Sequence, residues 1–161
     1  METKFYYIEY DSPIGVLTIQ NNGEAITRIE FDGKKVEGVH CENAVGTLVL
    51  RELNEYFYEG RKEFTVPVKF INGTEFQKKV WEALREIPYG ETRTYKQIAE
   101  NVGSPKGCRA VGMANHNNPI PNIVPCHRVI GKNRKLVGFA GGLDIKTKLL
   151  ELEGNKDAIY N

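Results

Sequence analysis

Hydrophobic and β-prone residues cluster in three short runs near the start of the chain, which read as strands: Phe5 to Tyr10, Val16 to Ile19 and Ile26 to Phe31. Ser12-Pro13-Ile14-Gly15 and Asn21-Asn22-Gly23 lie between them, and both hold the residues that tight turns demand. The pattern then becomes helical. Val45, Leu48, Val49, Leu53, Tyr56 and Phe57 recur at helical spacing, which predicts a helix from about Asn43 to Tyr58 with Gly60 as its stop. A short extended run, Phe64 to Val68, leads to Asn72-Gly73, where the pattern places a boundary. Residues 1–72 are expected to form a three-stranded antiparallel sheet with one helix, and residues 73–161 a second lobe.

That second lobe reads as mainly helical and begins with clear capping signals. Thr74-Glu75-Phe76-Gln77 and Thr94-Tyr95-Lys96-Gln97 both fit the capping box, in which a hydroxyl and a side-chain amide satisfy the free N–H groups of a helix start. The first helix is predicted to reach about Glu86, ahead of Pro88-Tyr89-Gly90, and the second to reach Val102, where Gly103 stops it. Ser104 then reads as an N-cap and Pro105 as the first residue of a third helix, which runs to Asn117 ahead of Pro119. Two short helices joined across Gly103-Ser104 have the length and turn chemistry of a helix-turn-helix, although many such corners bind nothing. The second of them, PKGCRAVGMANHN, sets Gly107, Ala110, Gly112 and Ala114 around one long cation, Arg109. Small residues let a backbone approach a surface closely, and they make a poor core helix. The predicted fold class is α+β: a small N-terminal sheet-plus-helix lobe, then a mainly helical lobe with a helix-turn-helix.

Composition adds a few exclusions. The chain has 161 residues, 40% of them hydrophobic and 10% aromatic, enough for the core of one domain or two small lobes. The opening METKFYYIEYD carries charge within its first four residues and no long apolar segment, so neither a signal peptide nor a membrane span is expected, and the protein reads as cytoplasmic. Cys41, Cys108 and Cys126 are too few and too scattered for a disulfide framework and are expected as free thiols. The net charge of +1 hides an uneven spread. Residues 1–73 hold 8 Lys/Arg against 12 Asp/Glu, whereas residues 74–150 hold 13 against 6, a surplus of +7. Such a segment is a candidate for binding a polyanion, though a one-sided charge also serves solubility.

Reactive chemistry concentrates in PNIVPCHRVIGKNRK, residues 121 to 135. A free thiol is only slightly ionised at neutral pH, so a nucleophilic cysteine needs a base or a cation nearby, and His127 and Arg128 follow Cys126 directly. In an extended segment successive side chains point to opposite sides. Cys126 and His127 therefore cannot meet unless the chain turns or a water bridges them, which favours a relay over a direct ion pair. A buried structural cysteine beside a histidine is the other reading. Pro125, Ile123-Val124 and the downstream glycines point instead to a constrained pocket loop.

PCHRV at 125 to 129, RAVG at 109 to 112, Asn118-Pro119, GFAGGL at 138 to 143 and Glu153-Gly154 together resemble the O6-alkylguanine-DNA alkyltransferases, suicide DNA-repair methyltransferases. The likeness spans about residues 74 to 154; the first 70 share only the general layout. It implies methylated-DNA–protein-cysteine S-methyltransferase activity in which Cys126 irreversibly takes the alkyl group from O6 of a guanine flipped out of duplex DNA, with O4-alkylthymine a further candidate substrate. It also implies that His127 takes the thiol proton through a bridging water and that Glu153 orients the histidine. Tyr95 matches the tyrosine that hydrogen-bonds the guanine, and the carbonyls of Cys126 and Val129 match acceptors for its exocyclic amine. Asn118 matches the brace of the active-site loop, and Pro121, Val129, Phe139 and Ala140 match the pocket lining. Many members carry tyrosine where this chain has Phe139, which removes a hydroxyl there. Arg109 matches the finger that fills the space of the extruded nucleotide, on a helix set in the minor groove; Ser104, Lys106, Ala110, Gly112 and Arg128 are the accompanying DNA contacts.

The resemblance further implies a monomer that acts on double-stranded DNA without a cofactor. Some members hold zinc in the first lobe, but His40-Cys41 is the one Cys/His pair there, short of four ligands, so no metal is expected. Three alternatives stay in play. A catalytically silent relative would bind alkylated DNA and recruit other factors, a helix-turn-helix regulator would carry the thiol incidentally, and a cysteine hydrolase would need an oxyanion hole and turnover.

Overall fold

In a computed structural model of the protein, describing residues 4–131 and 142–155, β1 (Tyr6–Ser12) and β2 (Gly15–Asn21) form an antiparallel hairpin. The ladder runs further than the β-prone runs suggest because the turn is only Pro13-Ile14. Ser12 Oγ closes it by donating to the Gly15 carbonyl at 2.6 Å and accepting from the Ile14 N–H at 3.1 Å. β3 (Ile26–Glu30) pairs antiparallel with β2, as expected, but the sheet has four strands rather than three. The addition is β4 (Val39–His40), which runs parallel to β1 and gives the order β3-β2-β1-β4. Two exposed residues carry no alternation to detect. What sets the strand beside β1 is Gly38: a Cβ there would stand 2.6 Å from the Phe5 carbonyl oxygen.

α1 (Ala44–Glu59) is capped by Asn43, whose side chain accepts from the Gly46 N–H, and stopped by Gly60 in the left-handed region. It buries Val45, Val49, Leu53, Tyr56 and Phe57, the residues whose spacing predicts it. The same face holds a fully buried carboxylate, Glu52, which accepts from the Thr65 and Val66 N–H groups and pairs with Arg61 at 2.5 Å. Of the expected extended run 64–68, Val68 makes an isolated bridge to Ile26, with Pro67 and Lys69 bonding the Ile26 backbone.

The chain divides into two compact units, Met1–Ile71 and Asn72–Asn161. In the second, α2 (Glu75–Arg85) and α3 (Tyr95–Asn101) both open on complete capping boxes from Thr74/Gln77 and Thr94/Gln97. β5 (Arg93–Thr94), just ahead of α3, pairs in parallel with β6 (Val129–Ile130). α4 (Cys108–His116) starts three residues later than expected. Ser104 is not its cap and Pro105 is not its first residue; residues 104–107 form a turn closed by the Gly107 N–H on the Ser104 carbonyl at 2.8 Å. A Cβ on Gly107 would come within 2.6 Å of Ser104 Oγ, so this turn needs its glycine. Trp81 on α2 donates from Nε1 to the Ala114 carbonyl at 2.8 Å and fixes α4 in place. α5 (Leu143–Leu152) completes the unit. No helix among the described residues is long and apolar enough to cross a membrane.

Candidate active site

Asn118 shapes the loop that leads to Cys126. Its Nδ2 donates to the Val124 carbonyl at 2.8 Å while its Oδ1 accepts from the Ile120 N–H at 3.0 Å, and Pro121 bridges to Val124 within that closure. The chain then turns as a single 3-10 segment, Cys126–Arg128, within the expected pocket loop. Proline fixes the approach, and the Arg128 N–H closes the turn on the Pro125 carbonyl at 3.0 Å.

The turn buries all three of its side chains. His127 is fully enclosed, and its Nε2 lies 2.7 Å from Glu153 Oε2 at the end of α5. Burial alone would raise the Glu153 carboxyl, but the charges and hydrogen bonds of His127 and Arg128 outweigh it and hold the group well below the usual carboxylate range. Against an ionised carboxylate, Nε2 carries the ring proton. Nδ1 is then the basic nitrogen, and it is buried without a hydrogen-bond partner among the described residues. Desolvation pushes His127 below its ordinary value despite the Glu153 charge, so the ring is neutral at physiological pH.

Burial likewise pushes the Cys126 thiol up to about 11, with the Asn118 amide and the Lys146 charge partly opposing it. The resting group is a thiol, and its proton must leave during the reaction. Lys146, on α5, was not legible in the sequence as a site residue. Its side chain is buried and donates to the Val129 carbonyl at 2.6 Å, and burial pulls its pKa down to about 8 against the thiolate's pull. Tyr95 arrives by the β5·β6 pairing, which sets Thr94 opposite Ile130 and so brings the first residue of α3 beside the Cys126 turn. Desolvation raises its hydroxyl, and a charge on Cys126 would raise it further, so Tyr95 stays a neutral donor.

One expectation is corrected. Arg128 does not project toward a phosphate: it is buried, with Nε and Nη2 on Glu153 at 2.8 and 3.0 Å and Nη1 on the Ile87 carbonyl at 2.7 Å. The Tyr89 ring lies 5.8 Å from its guanidinium carbon. A guanidinium so committed serves as an internal tie. By contrast Lys106, Arg109 and Ala110 are exposed and Ser104 is half-buried, along the turn and outer face of α4, with Met113 61% exposed one turn past Arg109. Gly112 faces inward, where a Cβ would stand 4.0 Å from the Tyr95 ring. Pro121 and Val129 are buried around the Cys126 turn. Phe139 and Ala140 lie outside the described residues.

Two family models match the chain: the DNA-binding domain of 6-O-methylguanine DNA methyltransferase over residues 75–155, and the ribonuclease-like domain of the same family over 5–70. A methylated-DNA–protein-cysteine methyltransferase of Methanosarcina acetivorans is 52% identical over 155 residues, covering 93% of this chain and 99% of the relative. A constitutive one of Bacillus subtilis is 45% identical over 157 residues, covering 92% and 94%. The crystal structure of Mycobacterium tuberculosis OGT in complex with DNA superimposes with a TM-score of 0.85 at 44% identity, covering 92% of this chain and 93% of that one. Matched over nearly its whole length in both sequence and fold, the chain belongs to the 6-O-methylguanine DNA methyltransferase family.

Proposed function

We propose that this protein repairs alkylated DNA directly, moving the alkyl group from O6 of guanine to Sγ of Cys126, once per chain and irreversibly. The observation that carries the assignment is the buried His127–Glu153 contact at 2.7 Å, with Nδ1 unpartnered one residue from the thiol. As Sγ attacks the alkyl carbon, its proton passes through a bridging water to His127 Nδ1, the S–C bond forms and the C–O6 bond breaks. Glu153 stabilises the imidazolium that results. Tyr95 donates its hydroxyl proton toward the base and so eases departure of the anionic guanine. The product is a thioether with no nucleophile to remove it, which makes the protein a single-use acceptor.

Residues 73–161 supply DNA binding and the acceptor, and residues 1–72 the N-terminal lobe. The exposed face of α4 enters the minor groove, where small side chains permit close approach and Arg109 fills the space of the flipped nucleotide. Ser104, Lys106 and Ala110 support that approach, while Gly112 lies on the inner side toward Tyr95. Pro121 and Val129 wall the alkyl pocket. The protein acts as a cytoplasmic monomer. Incubation with duplex DNA carrying 6-O-methylguanine, followed by intact-protein mass spectrometry, tests the assignment. The expected result is a gain of one methylene, capped at one per chain and lost in Cys126→Ser. Tight binding without a mass gain would make the protein a reader of alkylated DNA instead.

A further inference from the structure

α4 shows one large apolar side chain to solvent, Met113. The opposite face of the helix is committed. Val111, Ala114 and Asn115 are buried, Asn115 Nδ2 donates to the Cys126 carbonyl at 3.3 Å, and the Ala114 carbonyl holds Trp81 Nε1. The helix therefore cannot roll to bury another residue. Met113 stays outside at 61% exposure, above Leu143 at 47% and Leu152 at 39%, the other large apolar residues exposed among those described in the second unit. Residues three and four apart share a helix face, so Met113 stands between Arg109 and His116, and all three are exposed.

A single exposed apolar residue is ordinary in itself. This one lies on the face that carries Arg109 and Ala110, with Lys106 in the turn just ahead. Cations so placed match the phosphates that border a DNA groove, and the deoxyribose carbons between those phosphates offer apolar surface to a thioether. The minor groove is about 6 Å wide, whereas a helix with its side chains is about 10 Å across. Glycine and alanine narrow the helix, but a methionine on the entering face needs room, and the groove supplies it by opening. Apolar wedges act in this way in minor-groove proteins, unstacking a base step and bending the duplex. Methionine is unbranched, with three rotatable bonds, and fits irregular surfaces without demanding one sequence. That suits a protein whose lesion occurs in any sequence.

We infer that Met113 is a DNA-contacting residue, an apolar wedge seated in the minor groove about 6 Å along α4 from Arg109. It holds the groove open beside the gap that Arg109 fills, and it acts on duplex binding rather than on the chemistry at Cys126. This deepens the proposed activity and rests on it.

The chain has two methionines, Met1 and Met113, so mild oxidation reads the wedge directly. Full-length Cys126→Ser protein, which binds the lesion without accepting the methyl group, is treated with hydrogen peroxide alone and with a saturating duplex carrying 6-O-methylguanine. Peptide mass spectrometry follows sulfoxide formation at Met113, with Met1 as the reference for any scavenging of oxidant by DNA. Met113 should oxidise at least about fivefold more slowly in the complex, since oxidation follows access. Two variants then separate apolar contact from mere bulk. Met113→Gln keeps the length of the side chain but loses its apolar surface and should weaken duplex binding about tenfold, while Met113→Leu should stay within about twofold of the wild type. The oxidation arm needs no substitution at position 113, so a variant that fails to fold cannot hide the answer. Unchanged oxidation of Met113 in the complex, wild-type affinity in Met113→Gln, or equal losses in both variants would overturn the inference and leave the proposed activity standing. Failure of the alkylated duplex to bind at all would remove that activity itself.

Discussion

Cys126 and Cys108 place two thiols of one chain in opposite surroundings. Cys126 is buried and raised to about 11, whereas Cys108 is exposed at the start of α4. Generic reactivity follows thiolate content and access, so iodoacetamide at neutral pH should label Cys108 well before Cys126, as read by peptide mass spectrometry. Preferential labelling of Cys126 would mean a preformed thiolate and would discard proton transfer in the course of attack. Glu153 invites a second prediction, because it answers both His127 and the buried Arg128 guanidinium. Glu153→Gln leaves that cation without its counter-charge, a loss of about 3–5 kcal/mol in a denaturant titration. Methyl transfer should fall as well, since the glutamine amide no longer selects the tautomer with a basic Nδ1.

At the scale of elements, α4 divides its labour by face. Val111, Ala114 and Asn115 turn inward, while Arg109 and Met113 turn outward. Arg109→Ala should therefore slow repair in duplex DNA far more than transfer from free 6-O-benzylguanine, which needs no flipping; equal losses would reject the finger. The glycines of this region separate in the same way. Gly112→Ala meets the Tyr95 ring at ordinary contact distance and should stabilise the helix by about 0.5–1 kcal/mol in thermal unfolding. Gly107→Ala collides with Ser104 and should destabilise the turn, so a gain there would show that the turn is not as tight as described.

For the whole molecule, charge sets two expectations. The +7 surplus over residues 74–150 should make DNA binding weaken steeply with salt, with release of roughly four to six counterions; a flat response would move that charge away from the DNA. Stability should also respond to acid. His127 and Glu153 are both depressed in the folded state, so the unfolded chain takes up their protons more readily. Their contribution is complete above the ordinary histidine value of 6.5, shrinks as pH falls below it, and shrinks again below the ordinary glutamate value of 4.5. Urea midpoints measured at neutral pH and at successively more acidic values should fall, and less so in Glu153→Gln.

Much of this was legible without coordinates. Runs of β-prone residues between turn residues mark β1 to β3, helical spacing marks α1 because a helix that buries one face must repeat its apolar residues every third or fourth position, and the two threonine caps fix where α2 and α3 begin, because a helix start must satisfy its own N–H groups. The Cys126-His127 pair announced itself by residue type. Packing between distant segments decided the rest. Residues 93–94 pair with 129–130 and so carry Tyr95 to the thiol; Arg128 turns inward onto Glu153; and Lys146 and Asn115 reach the site from opposite helices. A lysine in α5 or an asparagine in α4 looks like any helical polar residue until its neighbours are known. Local pattern records what a segment must bury, and only the tertiary fold records what it is buried against.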